Sequence, residues 1–229
     1  MTLLTTLFPL ICYFAYNIFI PQVEKLRPSL SSIMNLQRRR WVANAARRES
    51  PFDAILSGNI MQSVSFLAST AVLMVLAVFA VFGQIPALME SLSSLSLDAR
   101  YSVTEVQLHL VVMLTMFVLA FFAFTLSLRQ FNHFCIMLGT LDPSVPASEE
   151  ELDAITEMNI LGARNFNSGI RAYYFSVSTV AWFVSEWATI VACLLTILVL
   201  AQREFLSSAH RTAASAAIVA ARRQKDAKP

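Results

Sequence analysis

The chain has 229 residues, of which 56% are hydrophobic and 14% charged, and its net charge is +2. Soluble proteins carry about 45–50% apolar and about 25% charged residues, so this composition excludes an ordinary soluble domain. The net charge says little as a sum; its distribution along the chain says much more.

Apolar residues collect in four runs, 3–20, 64–82, 108–128 and 172–200, three of them without any charge. A hydrocarbon core about 30 Å thick needs about 20 such residues per helix. The first run has no Lys or Arg before it and no small-residue cleavage site after it. It therefore reads as a retained span, 3–20, that enters from outside rather than a removed signal.

The next segment carries seven basic residues: Lys25, Arg27, Arg38, Arg39, Arg40, Arg47 and Arg48. The segment 83–107 carries one, Arg100, beside Glu90, Asp98 and Glu105. Positive charge is retained on the cytoplasmic side, which places the first loop inside and the second outside. Within the first loop Pro28 suits the first turn of a helix. Leu30, Ile33, Met34, Trp41, Val42 and Ala45 then recur near helical spacing. We read 29–46 as an amphipathic helix in the cytoplasmic interface, with Arg38, Arg39, Arg40, Arg47 and Arg48 meeting anionic lipid. A solvated charged loop is the plainer alternative.

The second span, 62–83, begins with a row of polar side chains, Asn59, Gln62, Ser65 and Ser69. Small hydroxyls and amides at this depth either pack helices together or line a polar path. The third span, 107–128, is almost wholly apolar. His109 lies near its outer end and His133 beyond its inner end, so the two cannot share a metal within one subunit. The following loop is acidic at Glu149, Glu150, Glu151, Asp153 and Glu157. Ser148 with Glu151 three residues on has the capping-box pattern, and a short surface helix, 149–161, is expected there.

Arg164, Asn165, Asn167 and Arg171 open the fourth helix and form the best candidate for holding a ligand anion or a lipid headgroup. Snorkelling anchors are the alternative. The run 172–200 would be about 44 Å long as one straight helix. Ser185 and Glu186 interrupt it between Trp182, Phe183 and Trp187, as at a membrane interface. A hairpin with arms 166–184 and 187–204 then gives five spans and keeps 16 of 17 basic residues inside; four spans leave 10 inside and 7 outside. The expected fold is an all-α polytopic membrane bundle. Residues 1–206 form the membrane domain, with the N-terminus out and the C-terminus in. An Ala-rich basic tail, 207–229, follows; the competing view is a single long tilted helix in place of the hairpin, continued by the Ala-rich stretch after Leu200.

Cys12, Cys135 and Cys193 lack metal or disulfide spacing and read as free thiols. Neither paired carboxylates nor a phosphate loop nor a nucleophile motif is present, so no enzyme, metal, cofactor or nucleic-acid partner is expected.

The sequence Arg38-Arg39-Arg40-Trp41, the stretch from Gly58 to Thr70, Arg129 to Asn132, Phe166 to Phe175 and Arg203-Glu204-Phe205 resemble a family of bacterial and plant membrane proteins catalogued as domain of unknown function 599. The likeness runs from Trp41 to Phe205. Members often carry a proline near the position of Ser185 and Glu186, which supports the hairpin although this chain lacks it. The resemblance implies the topology and brings no activity. Two functions therefore stand: a small homo-oligomeric channel or transporter, and a non-catalytic accessory or scaffold subunit. Both would sit among membrane lipids, in a bacterial inner membrane.

Overall fold

A computed structural model describes residues 2–48, 51–94 and 101–226. Asp98, Arg100 and Lys228, used above in the charge argument, lie outside them. Among the described residues all regular structure is helical: α1 (Thr2–Leu26), α2 (Leu30–Ala45), α3 (Phe52–Phe82), α4 (Ile85–Ser94), α5 (Val103–Gly139), α6 (Glu149–Val180), α7 (Glu186–Phe205) and α8 (Ser208–Asp226). A single 3-10 turn, Ala181–Phe183, joins α6 to α7.

Four stretches are long and apolar enough to cross a membrane: Leu3–Leu26, Phe52–Phe82, Val103–Gly139 and Glu186–Arg222. Their outer faces are apolar, with Ile18, Phe66, Leu73, Leu76, Phe122, Leu194 and Leu198 exposed. Exposed apolar surface on this scale has lipid, not water, as its solvent, and the chain is an integral membrane protein. The core is mainly apolar but takes in several polar side chains. His109, Asn159, Thr179 and Thr189 are fully buried.

The arm expected at 166–184 is not one of those four stretches, because Asn167, Ser168 and Arg171 dilute its apolar content. It nevertheless forms the hairpin. Ser178 Oγ lies 2.7 Å from Thr196 Oγ1, and Arg171 Nη2 donates to Glu204 Oε1 at 3.4 Å. Contacts that step backward along one helix and forward along the other make α6 and α7 antiparallel. Ser185 terminates the turn with extended backbone and accepts the Ala188 N–H. The tip sits at the same end of the bundle as the start of α5, since Tyr101 donates to the Trp182 carbonyl at 2.8 Å.

Several details differ from expectation. Trp182 is not an interfacial aromatic; it is fully buried, stacked on His109 with centroids 4.3 Å apart. Ser29, not Pro28, caps α2 by accepting the Ser32 N–H. The helix at 149–161 does not end there, for α6 runs unbroken to Val180. Nothing in the sequence interrupts it: Gly162 and Gly169 are accommodated because they let α5 come close. The last apolar helix does not continue into the tail. It breaks after Phe205, and α8 turns to lie along α2, where His210 Nε2 bonds the Pro28 carbonyl.

Ser148 caps α6 by accepting the Glu151 N–H at 3.1 Å. Ser148→Ala is expected to cost about 1 kcal/mol at this end. Faster amide exchange at Glu151 would register it.

Candidate functional site

Both long helices α5 and α6 exceed the thickness of a hydrocarbon core, about 30 Å. At 37 and 32 residues they are about 55 and 48 Å long. Their surplus projects at the end that carries most of the basic side chains, and α2 packs across it. Val42, Phe134, Leu152 and Ile155 form a separate core there. The arginine row of α2 is therefore not turned as a whole to headgroups. Arg39 donates to Asp153 at 2.7 Å and to Glu149 at 2.6 Å. Arg48 donates to both oxygens of Asp53, at 3.0 and 2.6 Å, and Trp41 Nε1 joins that carboxylate at 2.6 Å. The bonds to Asp153 and Glu149 hold the Arg39 guanidinium above its ordinary pKa. Because Arg39, Glu149 and Asp153 are well exposed, Arg39→Ala is expected to leave thermal unfolding in detergent almost unchanged.

Arg38 is placed differently. Its Nη1 donates to Asn159 Oδ1, while its Nε is buried without a partner. Burial pulls this guanidinium below its ordinary pKa, with no carboxylate to offset the loss. Arg40 also has a buried, unpartnered Nη1, and Arg47 is exposed.

The cluster expected at Arg164, Asn165, Asn167 and Arg171 does not converge on one point. Arg164 is exposed and pairs with Glu157 at 3.3 Å. Asn165 donates to Gln130 Oε1 on α5 at 2.6 Å. Asn167 donates to Ser31 Oγ on α2 at 3.1 Å, and Ser31 donates to Glu204 Oε2 at 3.3 Å. Arg171 is 8% exposed; it donates to Asn17 Oδ1 at 3.0 Å and to Glu204, and its guanidinium stands 5.2 Å from the centre of the Tyr16 ring. Asn167 and Arg171 thus belong to a junction of α1, α2, α6 and α7, while Arg164 and Asn165 look elsewhere. A period of seven residues puts two side chains on one face; it does not say which neighbours each will reach.

The polar row of α3 is on the outside. Asn59, Gln62, Ser65 and Ser69 are all exposed, and Asp53, Ser57, Val64, Ala68, Ala71 and Val78 form the buried face. The row does not line an interior path of the subunit.

Sequence reasoning missed Asn17, Asp53, Asn159 and Glu204. Glu204 had a signal, a carboxylate one residue from Arg203 at the end of an apolar run. Asp53 had a weaker one, its five-residue spacing from Arg48. Asn159 had none, because its partner is 121 positions away.

No curated protein and no solved structure matches the chain. The family described as "Protein of unknown function, DUF599" does, over residues 4–209. That match begins well before Trp41 and takes in α1, Asn17 and the α1–α2 turn, so the four-helix junction lies wholly within it. With all but the two ends of the chain covered, the protein belongs to the DUF599 family.

Proposed function

We propose that this protein is a non-catalytic scaffold subunit of a membrane complex built from its own copies, with α3 at the contact between them. The observation that carries the reading is the outward polar row Asn59, Gln62, Ser65 and Ser69. Asn59 and Gln62 stand at the headgroup end of the row, where the amide of a second copy can bond them, and Ser65 and Ser69, deeper, give that copy's helix a hydroxyl partner and close approach. The same helix exposes Phe66, Leu73 and Leu76, so lipid and partner share its surface. Inside the subunit, Met116, Ala120, Phe124, Phe175 and Cys193 fill the middle of the bundle. That packing supports a scaffold over a conduit within one chain.

The charge distribution supports an arginine-rich end in the cytoplasm of a bacterial inner membrane, with the hairpin tip outside. Among the described residues Arg38, Arg40 and Arg47 have no carboxylate partner, and Arg40 and Arg47 face the anionic leaflet in this reading.

A small channel or transporter, with its pore between copies, is the second reading, favoured by the polarity of the same row. Ser65→Cys and Ser69→Cys, made in a background with the three native cysteines replaced by alanine, separate the readings. Disulfide-linked dimers after oxidation are expected, with the free thiols resisting water-soluble maleimide before oxidation if the contact is a scaffold's. Reaction of the free thiols with maleimide before oxidation, in chains that still cross-link when oxidised, would instead indicate a shared pore. Chains that never cross-link at either position would contradict both.

A further inference from the structure

We infer that a cavity in front of Arg38 holds the anionic headgroup of one membrane lipid, whose chain lies against the apolar walls of α3 and α6. This goes beyond the contact between copies and does not depend on it.

The cavity measures about 300 Å³ and is bounded by α2, α3, α5 and α6. Arg38, Ser63 and Asn167 supply its polar lining; Ile60, Val64, Phe131 and Phe166 supply most of the rest. Among the described residues Arg38 has no carboxylate within ion-pair reach, although Arg39, Arg48, Arg164 and Arg171 each have one. Its one protein acceptor is the neutral Asn159 Oδ1. That asparagine is 0% exposed, and its own Nδ2 is buried and unpartnered. Arg38, which lines the cavity, thus brings to it a positive charge with a single neutral acceptor and guanidinium donors to spare. Buried charge is tolerated when it is paired, and donors when they are bonded. An anion with several oxygens meets both needs at the guanidinium, which binds phosphate through a fork of N–H groups.

The walls decide what kind of anion. Ser63, Phe131 and Phe166 lie at the inner ends of the second, third and fourth apolar segments, the depth where headgroups meet acyl chains. Ser63 is exposed, which opens the cavity toward the lipid side of α3. A free inorganic ion would leave Ile60 and Phe166 uncovered, whereas an acyl chain covers them. The chemistry is that of an amphiphile: a phosphate at Arg38 and a hydrocarbon chain beside α3 and α6.

The full chain, purified and stripped of lipid in detergent, is incubated with dioleoyl phosphatidic acid, with dioleoyl phosphatidylcholine or with inorganic phosphate, and bound lipid is counted by native mass spectrometry. One phosphatidic acid per chain is expected, with little phosphatidylcholine and no displacement by an equal concentration of phosphate. Arg38→Gln should weaken retention roughly tenfold, the loss of a charge-assisted contact. Arg211→Gln, which removes an equal charge from α8, should leave it unchanged. Because Arg38→Gln touches a buried bond, Ser63→Trp is the second variant; it fills the exposed mouth and should also release the lipid. Wild-type retention in both Arg38→Gln and Ser63→Trp would overturn the assignment. So would equal binding of phosphatidylcholine, or displacement by equimolar phosphate.

Discussion

Gly169→Ala is expected to destabilise the protein by about 1–3 kcal/mol, the cost of overpacking a filled core. A Cβ at this position would lie 2.6 Å from Phe124 Cε1 and 2.8 Å from Cδ1 and Cζ. The ring has nowhere to go. Phe124 is fully buried, with Phe166 and Tyr173 against it at centroid distances of 6.0 and 5.3 Å. Gly162 meets Phe131 in the same way one contact along, at 2.8 Å, and Ser127 donates to the Gly162 carbonyl at 2.7 Å. Small residues thus set the distance between α5 and α6, as in membrane helix pairs generally. Thermal unfolding in detergent measures the cost. Phe124→Leu should recover part of it in the double variant, and additive losses would show that the two positions do not touch.

Arg171→Leu is expected to be more damaging, at about 3–5 kcal/mol, the range for removing one partner of a buried ion pair. Arg171 and Glu204 have side chains 10% and 14% exposed. Losing the guanidinium leaves the Glu204 carboxylate with only the Ser31 hydroxyl, and leaves Asn17 Oδ1 without its donor. Arg171→Lys should also lose stability, since one ammonium cannot reproduce a fork that serves α1 and α7 at once. Arg164→Lys should change little, because its bond to Glu157 is exposed. Replacing Arg171 and Glu204 together with Met and Leu should return most of the stability, which separates the cost of an orphaned charge from the loss of packing. Equal tolerance of lysine at both arginines would make Arg171 a mere anchor.

What the sequence disclosed follows from the range of the interactions involved. Helix α2 was expected at 29–46 and spans Leu30–Ala45, because its limits depend on a local cap and a local period. The hairpin was legible through the distribution of Lys and Arg, which the bilayer sorts without regard to tertiary contacts. The partners of the arginines were not legible. Arg39 meets Glu149 and Asp153 over 110 and 114 positions, and the acidic segment read alone looked like the start of a helix. It is both. The four polar side chains of α3 are exposed, and a helical period cannot tell an inward face from an outward one when both faces contact apolar surroundings. In a soluble helix the polar face would have been outside by default; in a lipid-exposed helix that default is lost.

The five-crossing hairpin, with the arginine-rich end inside, is tested most directly by labelling from the outside of intact cells. Single cysteines at Trp187 and at Ser207, in a chain whose Cys12, Cys135 and Cys193 are alanine, are exposed to a membrane-impermeant maleimide. Trp187 is 69% exposed beside the hairpin tip, and Ser207 lies between α7 and α8 at the opposite end. Labelling at position 187 alone is the predicted result, with position 207 labelled only after the cells are opened. Labelling of 207 in intact cells, with 187 protected, would contradict the topology.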